Sequence, residues 1–523
     1  MIENATRQNL GSLLRRTAQR DPRRQAVRCG ETSWTYAEFD TISDRLAAGL
    51  AARGIELGDR VAVLARNSHS FAALRFAVAR LGAVLVPINF MLSAGEARYI
   101  LDHSGAKLLC TDTELASLSR EASAGTEVAT LVWMQGEESS APAPGMLRLE
   151  ALIESGGKAP EPDVDSGTLA QIIYTSGTES RPKGAMLTHG AVIAEYASCL
   201  VDAEITAEDL MLHALPLYHC AQLDVFFGPG VQVGTSNIIT GKPTPDNLLK
   251  LLARDRITSF FAPPTVWISL LRSPRFDATD LSALRKGYYG ASIMPVEVLK
   301  EIQRRLPDLR LWNLYGQTEI APLAAVLKPQ DQLRKAGTAG RPALNVESRI
   351  VDDEMNDVAP GQIGEIVHRS PQLLSGYYRD EERTRAAFEG GWFHSGDLAV
   401  TDDEGYITIV DRKKDMIKSG GENVASREVE EAIYAMPGVS EVAVIGLPHP
   451  HWIEAVVAVV VTKSGHVLSE SLVIDHCQGR LGGFKVPKRV ILTDALPKNP
   501  SGKLLKRELR LRYQSETARE SGT

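Results

Sequence analysis

Along Trp34–Ile55, WTYAEFDTISDRLAAGLAARGI, apolar residues recur at helical spacing, and Gly54 closes the run before the apolar stretch RVAVLA. SFAALRFAVARLGAVLVPIN repeats the scheme: a helix, Gly82 near its end, then AVLVPI. Helix-period runs that alternate with short apolar runs across glycine-bearing links predict a layered α/β sheet over the larger part of the chain. No fixed-period repeat is visible. GEESSAPAPGM (Gly136–Met146) and GGKAPEPDVDSG (Gly156–Gly167) read as surface loops.

The pattern changes at VDRKKDMIKSGGENVASREVEEAI. A strand ending at Val410 runs into charged residues, a Gly-Gly pair, and a helix that Ser426 is expected to cap with Glu428 in its first turn. EVAVIGL, AVVAVVV, the helical LSESLVIDHCQGRL and the strand RVILT follow. Mixed helix and strand over roughly 110 residues suffice for a separate domain. The expected division lies between Asp411 and Lys414, giving residues 1–412 and 413–523, with a polar, frayed tail from Glu516.

Bulk properties narrow the function. A chain of 523 residues calls for two or more domains. Its formal charge of -7 and pI near 6.0 argue against general nucleic-acid binding. The longest clean apolar run, Ala455–Val461, makes a strand and not a membrane span, and Met1–Pro22 is polar and Arg-rich, unlike a secretory signal. Five scattered cysteines without a C-x-x-C pair suggest neither a disulfide framework nor a zinc site, and a cytoplasmic location is expected.

The chemistry begins at YTSGTESRPKG (Tyr174–Gly184), directly after the apolar LAQII. Small hydroxyls, glycines and Lys183 let backbone N–H groups approach polyphosphate. It is not a Walker loop, because Gly184 follows Lys183 where Ser or Thr would be required. WNLYGQTEIAP (Trp312–Pro322), WFHSGDLA (Trp392–Ala399) and LPKNPSGKLLKREL add Thr318, Glu319, Asp397 and Lys503. Each alone is equally a solvated loop. Together, in this order, they resemble the adenylate-forming superfamily: acyl-CoA synthetases, adenylation domains of peptide synthetases and firefly-type luciferases. The resemblance runs from about Trp34 to Leu504.

That resemblance implies a large N-terminal layered α/β domain with a distorted β-barrel subdomain and a small, mobile α+β C-terminal domain. It implies ATP, Mg²⁺ and CoA. Thr175, Ser176, Gly177, Thr178 and Lys183 would hold the β- and γ-phosphates, Thr318 the α-phosphate and Glu319 the metal. Asp397, assisted by Arg412, would accept the ribose hydroxyls. Backbone and aromatic surface of YYGAS (Tyr288–Ser292), with Gly290 and Ala291, would sandwich adenine against Tyr315. Lys503 would stabilise the transition state, Lys414 would be the hinge, and Gly420 and Gly421 would line a tunnel for the pantetheine arm.

LPLYHCAQLDVFFGPG (Leu215–Gly230) matches the segment bordering the acid, where His219 is either a gate beside the carboxylate or a satisfied core histidine. Cys220 stands near where amino-acid-activating relatives carry an Asp, and Asp224 comes too late to replace it. No Lys or Arg lies between Met211 and Gly230. Phe226, Phe227, Trp267 and IAPLAAV (Ile320–Val326) suggest an apolar pocket or ordinary core. The expected substrate is a fatty, aryl or alicyclic acid. The acceptor is CoA or the same arm on a carrier protein, and monomer and homodimer both stay open. Glu179 and Ser180 replace the family's Thr-Gly, so either Glu179 points to solvent or adenylation is slowed relative to thioester formation. Equal rates of the two half-reactions would dispose of the second idea. A non-catalytic binder is disfavoured, since Lys503, Glu319 and Asp397 are all present, and luciferase-like oxidation has no feature in its favour.

Overall fold

A computed structural model describes residues 8–138, 140–175, 182–290, 292, 294–413, 415–419, 422–498 and 504–520. Among these, the strands form four sheets. In the eight-stranded sheet, Val84–Pro87, Arg60–Leu64, Ala106–Thr111 and Thr130–Trp133 run parallel. Leu169–Thr175 lies parallel to Val84–Pro87 and turns back antiparallel as Lys183–Thr188, with Gly376–Tyr377 at the edge. The nine-stranded sheet places Ser259–Phe261, Lys286–Gly290 and Arg310–Gly316 side by side in parallel, then Leu323–Leu327 antiparallel.

The helices begin and end where local chemistry directs. Tyr36–Ala51 starts at a capping box between Thr35 and Glu38; Trp34 and Thr35 belong instead to the strand Thr32–Thr35. The helix His69–Arg80 is buried on every side, which is why its sequence is apolar all round, and Gly82 beyond it takes φ 62°.

Where a barrel subdomain was expected, Glu347–Val351, Gly364–Arg369, Phe393–Thr401 and Ile407–Arg412 form a four-stranded antiparallel sheet. An isolated bridge from Ile407 to Gly340 connects it to the segment ahead of the edge strand Arg341–Pro342 of the nine-stranded sheet. The last strand continues to Arg412, past the expected end at Val410, because Asp411 and Arg412 pair with Leu398 and Asp397.

The remaining sheet centres on Val439–His449 and Ile453–Thr462, paired antiparallel, with Arg489–Thr493 parallel to the second. Both faces of this pair are covered. Val442, Val444, Val456, Ala458 and Val460 enter one core and Ala443, Ile445, Val457, Val459 and Val461 another, so the run AVVAVVV has no polar alternation. The helix Ser426–Tyr434 lacks the expected cap: Ser426 is its first helical residue, and its N–H and Oγ donate to Asp411 Oδ2 at 2.8 and 2.7 Å. An upstream carboxylate does the capping. Among the described residues no helix is long and apolar enough to cross a membrane.

Candidate active site

Two sheets converge on one corner. Thr175 and Lys183 pair at the end of the hairpin Leu169–Thr188 where its two strands are joined. Glu319 sits on the one-turn helix Thr318–Ile320 that follows the strand Arg310–Gly316. The backbones pack closely here: a Cβ on Gly316 would fall 1.7 Å from the Pro322 carbonyl oxygen. The Glu319 carboxylate is buried, with Lys183 Nζ 3.1 Å from Oε1. Tyr377 donates its O–H to the same oxygen at 3.0 Å, while the Lys183 ammonium lies 4.1 Å from the Tyr377 ring centroid. Burial and the Glu319 charge push the Tyr377 phenol upward, so it stays a donor. Thr175 Oγ1 is buried and finds no partner among the described residues.

A second carboxylate has a similar setting. Asp397 lies directly opposite Arg412 across two antiparallel strands, Oδ1 to Nε 3.2 Å, and Tyr315 donates its O–H to Oδ2 at 2.7 Å. The Arg412 contact is within ion-pair range but off hydrogen-bond geometry, so Oδ1 keeps an open acceptor position. Burial, then the Asp397 charge, holds the Tyr315 phenol well above its usual range. Ser395 Oγ accepts the Asp397 N–H at 3.0 Å and fixes the turn.

The acid-side segment joins the first group through sulfur. His219 Nδ1 accepts from the Ala221 N–H at 3.1 Å and caps the following turn, and Cys220 Sγ lies 3.4 Å from Thr318 Oγ1. Asp224 points away, into a buried knot with Arg75 at 2.9 Å and Gln171 at 2.7 Å. The apolar-pocket reading of the aromatics gives way to the core reading: Phe226, Phe227 and Trp267 fall in three different cores. Tyr288 and Tyr289 likewise offer no adenine-facing ring. Tyr288 is buried against Trp312 and bonds the Ala203 carbonyl, and Tyr289 bonds Gln332. Backbone at Gly290 remains, where a Cβ would meet the Leu314 carbonyl oxygen at 2.3 Å.

Ser176, Gly177, Thr178, Glu179, Ser180, Ala291, Lys414, Gly420, Gly421 and Lys503 lie outside the described residues. Sequence reasoning missed Tyr377, whose only signal is its place in LLSGYYRD, a glycine–aromatic strand edge.

Two family models decide the kinship. The model for "AMP-binding enzyme" matches residues 14–378, and that for "AMP-binding enzyme C-terminal domain" matches residues 428–503. The chain belongs to the AMP-binding enzyme family. Among its relatives, a feruloyl-CoA synthase of Amycolatopsis sp is 37% identical over 97% of this chain and 99% of its own length. The indoleacetate–CoA ligase of Aromatoleum aromaticum is 36% identical over 96% and 97%. An ATP-bound structure of MatB from Rhodopseudomonas palustris superposes with a TM-score of 0.88, 32% identical over 97% and 99% of the two chains. An anthranilate CoA ligase in complex with anthranoyl-AMP has a TM-score of 0.91 at 24% identity over 98% of both chains, a likeness of fold.

Among the described residues no three His, Cys, Asp or Glu side chains gather to hold a metal. A single buried carboxylate with Lys183 Nζ at 3.1 Å nevertheless fits Mg²⁺, which keeps most of its shell as water and phosphate oxygens.

Proposed function

We propose that this AMP-binding enzyme is an ATP-dependent acyl-CoA synthetase for a hydrophobic carboxylic acid. It joins acid and ATP as acyl-AMP with release of pyrophosphate, then passes the acyl group to the CoA thiol with release of AMP. The observation that carries this reading is the meeting of Lys183, Glu319 and Tyr377 from two sheets beside the Cys220–Thr318 contact. Triphosphate and acid binding surfaces are thereby joined at one turn.

The carboxylate oxygen attacks the α-phosphorus and pyrophosphate leaves, so positioning and charge stabilisation do the catalysis. Thr175 and Lys183 hold the leaving end, Thr318 the α-phosphate, and Asp397 accepts the ribose hydroxyls with its open Oδ1. Glu319 holds Mg²⁺, which when bound neutralises phosphate charge. Lys503 supplies the remaining cation. Between Met211 and Gly230 the lone carboxylate is neutralised by Arg75, so nothing there recognises a substrate ammonium or a second carboxylate. This supports a fatty, aryl or alicyclic acid. Relatives named for feruloyl and indoleacetate substrates weigh toward aryl.

The chain divides at 412/413, with Lys414 as hinge and Gly420 and Gly421 on the pantetheine path. Support comes from the self-contained cores between Ile417 and Tyr513 and from the interval between the two family matches. CoA is the acceptor and the cytoplasm the location; the five cysteines are free and buried, as a reducing compartment permits. The test is incubation with ATP, Mg²⁺ and CoA against fatty, aryl and alicyclic acids, reading acyl-AMP and acyl-CoA by mass spectrometry. Acyl-CoA from one acid class supports the reading. Acyl-AMP without thioester moves the acceptor to a carrier protein, and neither product across the panel overturns it.

A further inference from the structure

Thr175, Lys183 and Tyr377 each have an immediate chain neighbour on the side of one helix: Tyr174, Pro182 and Tyr378. All three neighbours meet the same helix, Ala94–Ser104. Tyr99 donates its O–H to the Pro182 carbonyl at 3.3 Å, and His103 Nδ1 shares a proton with the Tyr174 phenol at 2.7 Å. The His103 ring stacks on Tyr99 at 5.4 Å and meets Tyr174 and Tyr378 edge-on at 5.8 and 5.7 Å. Arg379 donates to the His103 carbonyl at 3.1 Å, tying the Tyr377 strand to the same point.

The helix is a firm mount. Its N-terminus carries a reciprocal Ser93–Glu96 capping box and its C-terminus ends on Gly105 at φ 60°. Tyr99 and His103, one helical turn apart, present one face. Burial, with Arg379 adding to it, lowers the His103 pKa, so the ring is neutral at neutral pH and its Nδ1 and the phenol are both satisfied.

We propose that Tyr99 and His103 are positioning residues for the triphosphate, a platform behind the hairpin that sets where Thr175, Lys183 and Tyr377 stand. The proposal rests on the reading of that corner as the β- and γ-phosphate site. It has a selective consequence: the platform acts on ATP, whereas AMP, which lacks those phosphates, is indifferent to it.

Calorimetric titration of the full chain with ATP and with AMP, in Mg²⁺ buffer, tests this in wild type, His103→Phe, Tyr174→Phe and His103→Gln. His103→Phe keeps the ring packing and loses the hydrogen bond, and should weaken ATP roughly fivefold, the size of one net hydrogen bond, with AMP unchanged. His103→Gln, whose amide still reaches the phenol, should restore most of the loss. Should His103→Phe fail to fold, Tyr174→Phe removes a single oxygen and carries the same comparison. Unchanged ATP affinity, or equal weakening of ATP and AMP, overturns the platform alone. A wild-type chain that binds neither nucleotide overturns the synthetase reading and the platform with it.

Discussion

The two buried carboxylates of the site are built alike and anchored differently. Each receives a tyrosine O–H and a cation: Asp397 has Tyr315 and Arg412, and Glu319 has Tyr377 and Lys183. Asp397 and Arg412 face each other on adjacent strands of one sheet, so strand register alone sets their distance. Glu319 stands on a turn of the nine-stranded sheet while Lys183 and Tyr377 belong to the eight-stranded one. In the first group the carboxylate and its cation share one sheet and Tyr315 comes from the nine-stranded one, whereas in the second the carboxylate and its cation come from different sheets.

The difference suits the proposed work of each. A ribose acceptor should not move, and Arg412 is a permanent charge held off ideal hydrogen-bond geometry, leaving Oδ1 available. Lys183 and Glu319 neutralise one another within the protein, and in the proposed function phosphate and Mg²⁺ would offer each a replacement partner. A buried pair of this kind carries little net stabilisation but is costly to break from one side.

The sharpest way to break the comparison is Glu319→Gln, which keeps shape and removes charge. Acyl-AMP formation should fall on the order of 10²-fold, with thioester formation from a preformed adenylate little altered. Parallel loss in both half-reactions would show that Glu319 is a general structural anchor. Asp397→Asn should cost about 2 kcal/mol, roughly thirtyfold, and affect ATP and AMP equally, since both carry the ribose. Titration of the two nucleotides reads this, and selectivity for ATP would contradict the assignment.

Smaller effects sharpen the contrast. Tyr377→Phe should raise the KM for ATP by roughly fivefold, with AMP binding unchanged, whereas Tyr315→Phe should weaken both nucleotides by a similar factor. Least of all is expected from pH. Both phenols are pushed above their ordinary value, by burial and then by the adjacent carboxylate, so each stays protonated as pH rises past the unfolded value near 10. ATP affinity should therefore be flat between about pH 7 and about pH 9, and a fall within that window would mean that one group had lost its donor.

How much of this was legible varies from element to element. The helices Tyr36–Ala51 and His69–Arg80 were plain in the spacing of apolar residues, and Gly54 and Gly82 both take positive φ where the runs stop. Glu319 and Asp397 were legible as motif residues, but their tyrosine partners were not both so. Tyr315 lay inside a motif, though it was expected against adenine and is 82 residues from the Asp397 it serves, whereas Tyr377 lay in none of the motifs. The aromatics misled more. Phe226, Phe227 and Trp267 carry the composition of a pocket, yet burial spends them on three separate cores, and composition cannot tell a ring that faces ligand from one that faces a neighbouring element. Ser426 misled through locality: a Ser before a Glu reads as a cap until Asp411, from the strand Ile407–Arg412, arrives to do the work.

By itself the sequence determined the period-bound elements, the family and the residue types of the chemistry. These depend on neighbours within a few positions, where the chain's own geometry fixes who meets whom. Only the tertiary structure decided that Lys183 faces Glu319, that Asp224 turns inward to Arg75, and that one helix underlies three separate strand ends. Those pairings join residues far apart in the chain, and their distances are set by how whole sheets pack, which no local pattern encodes.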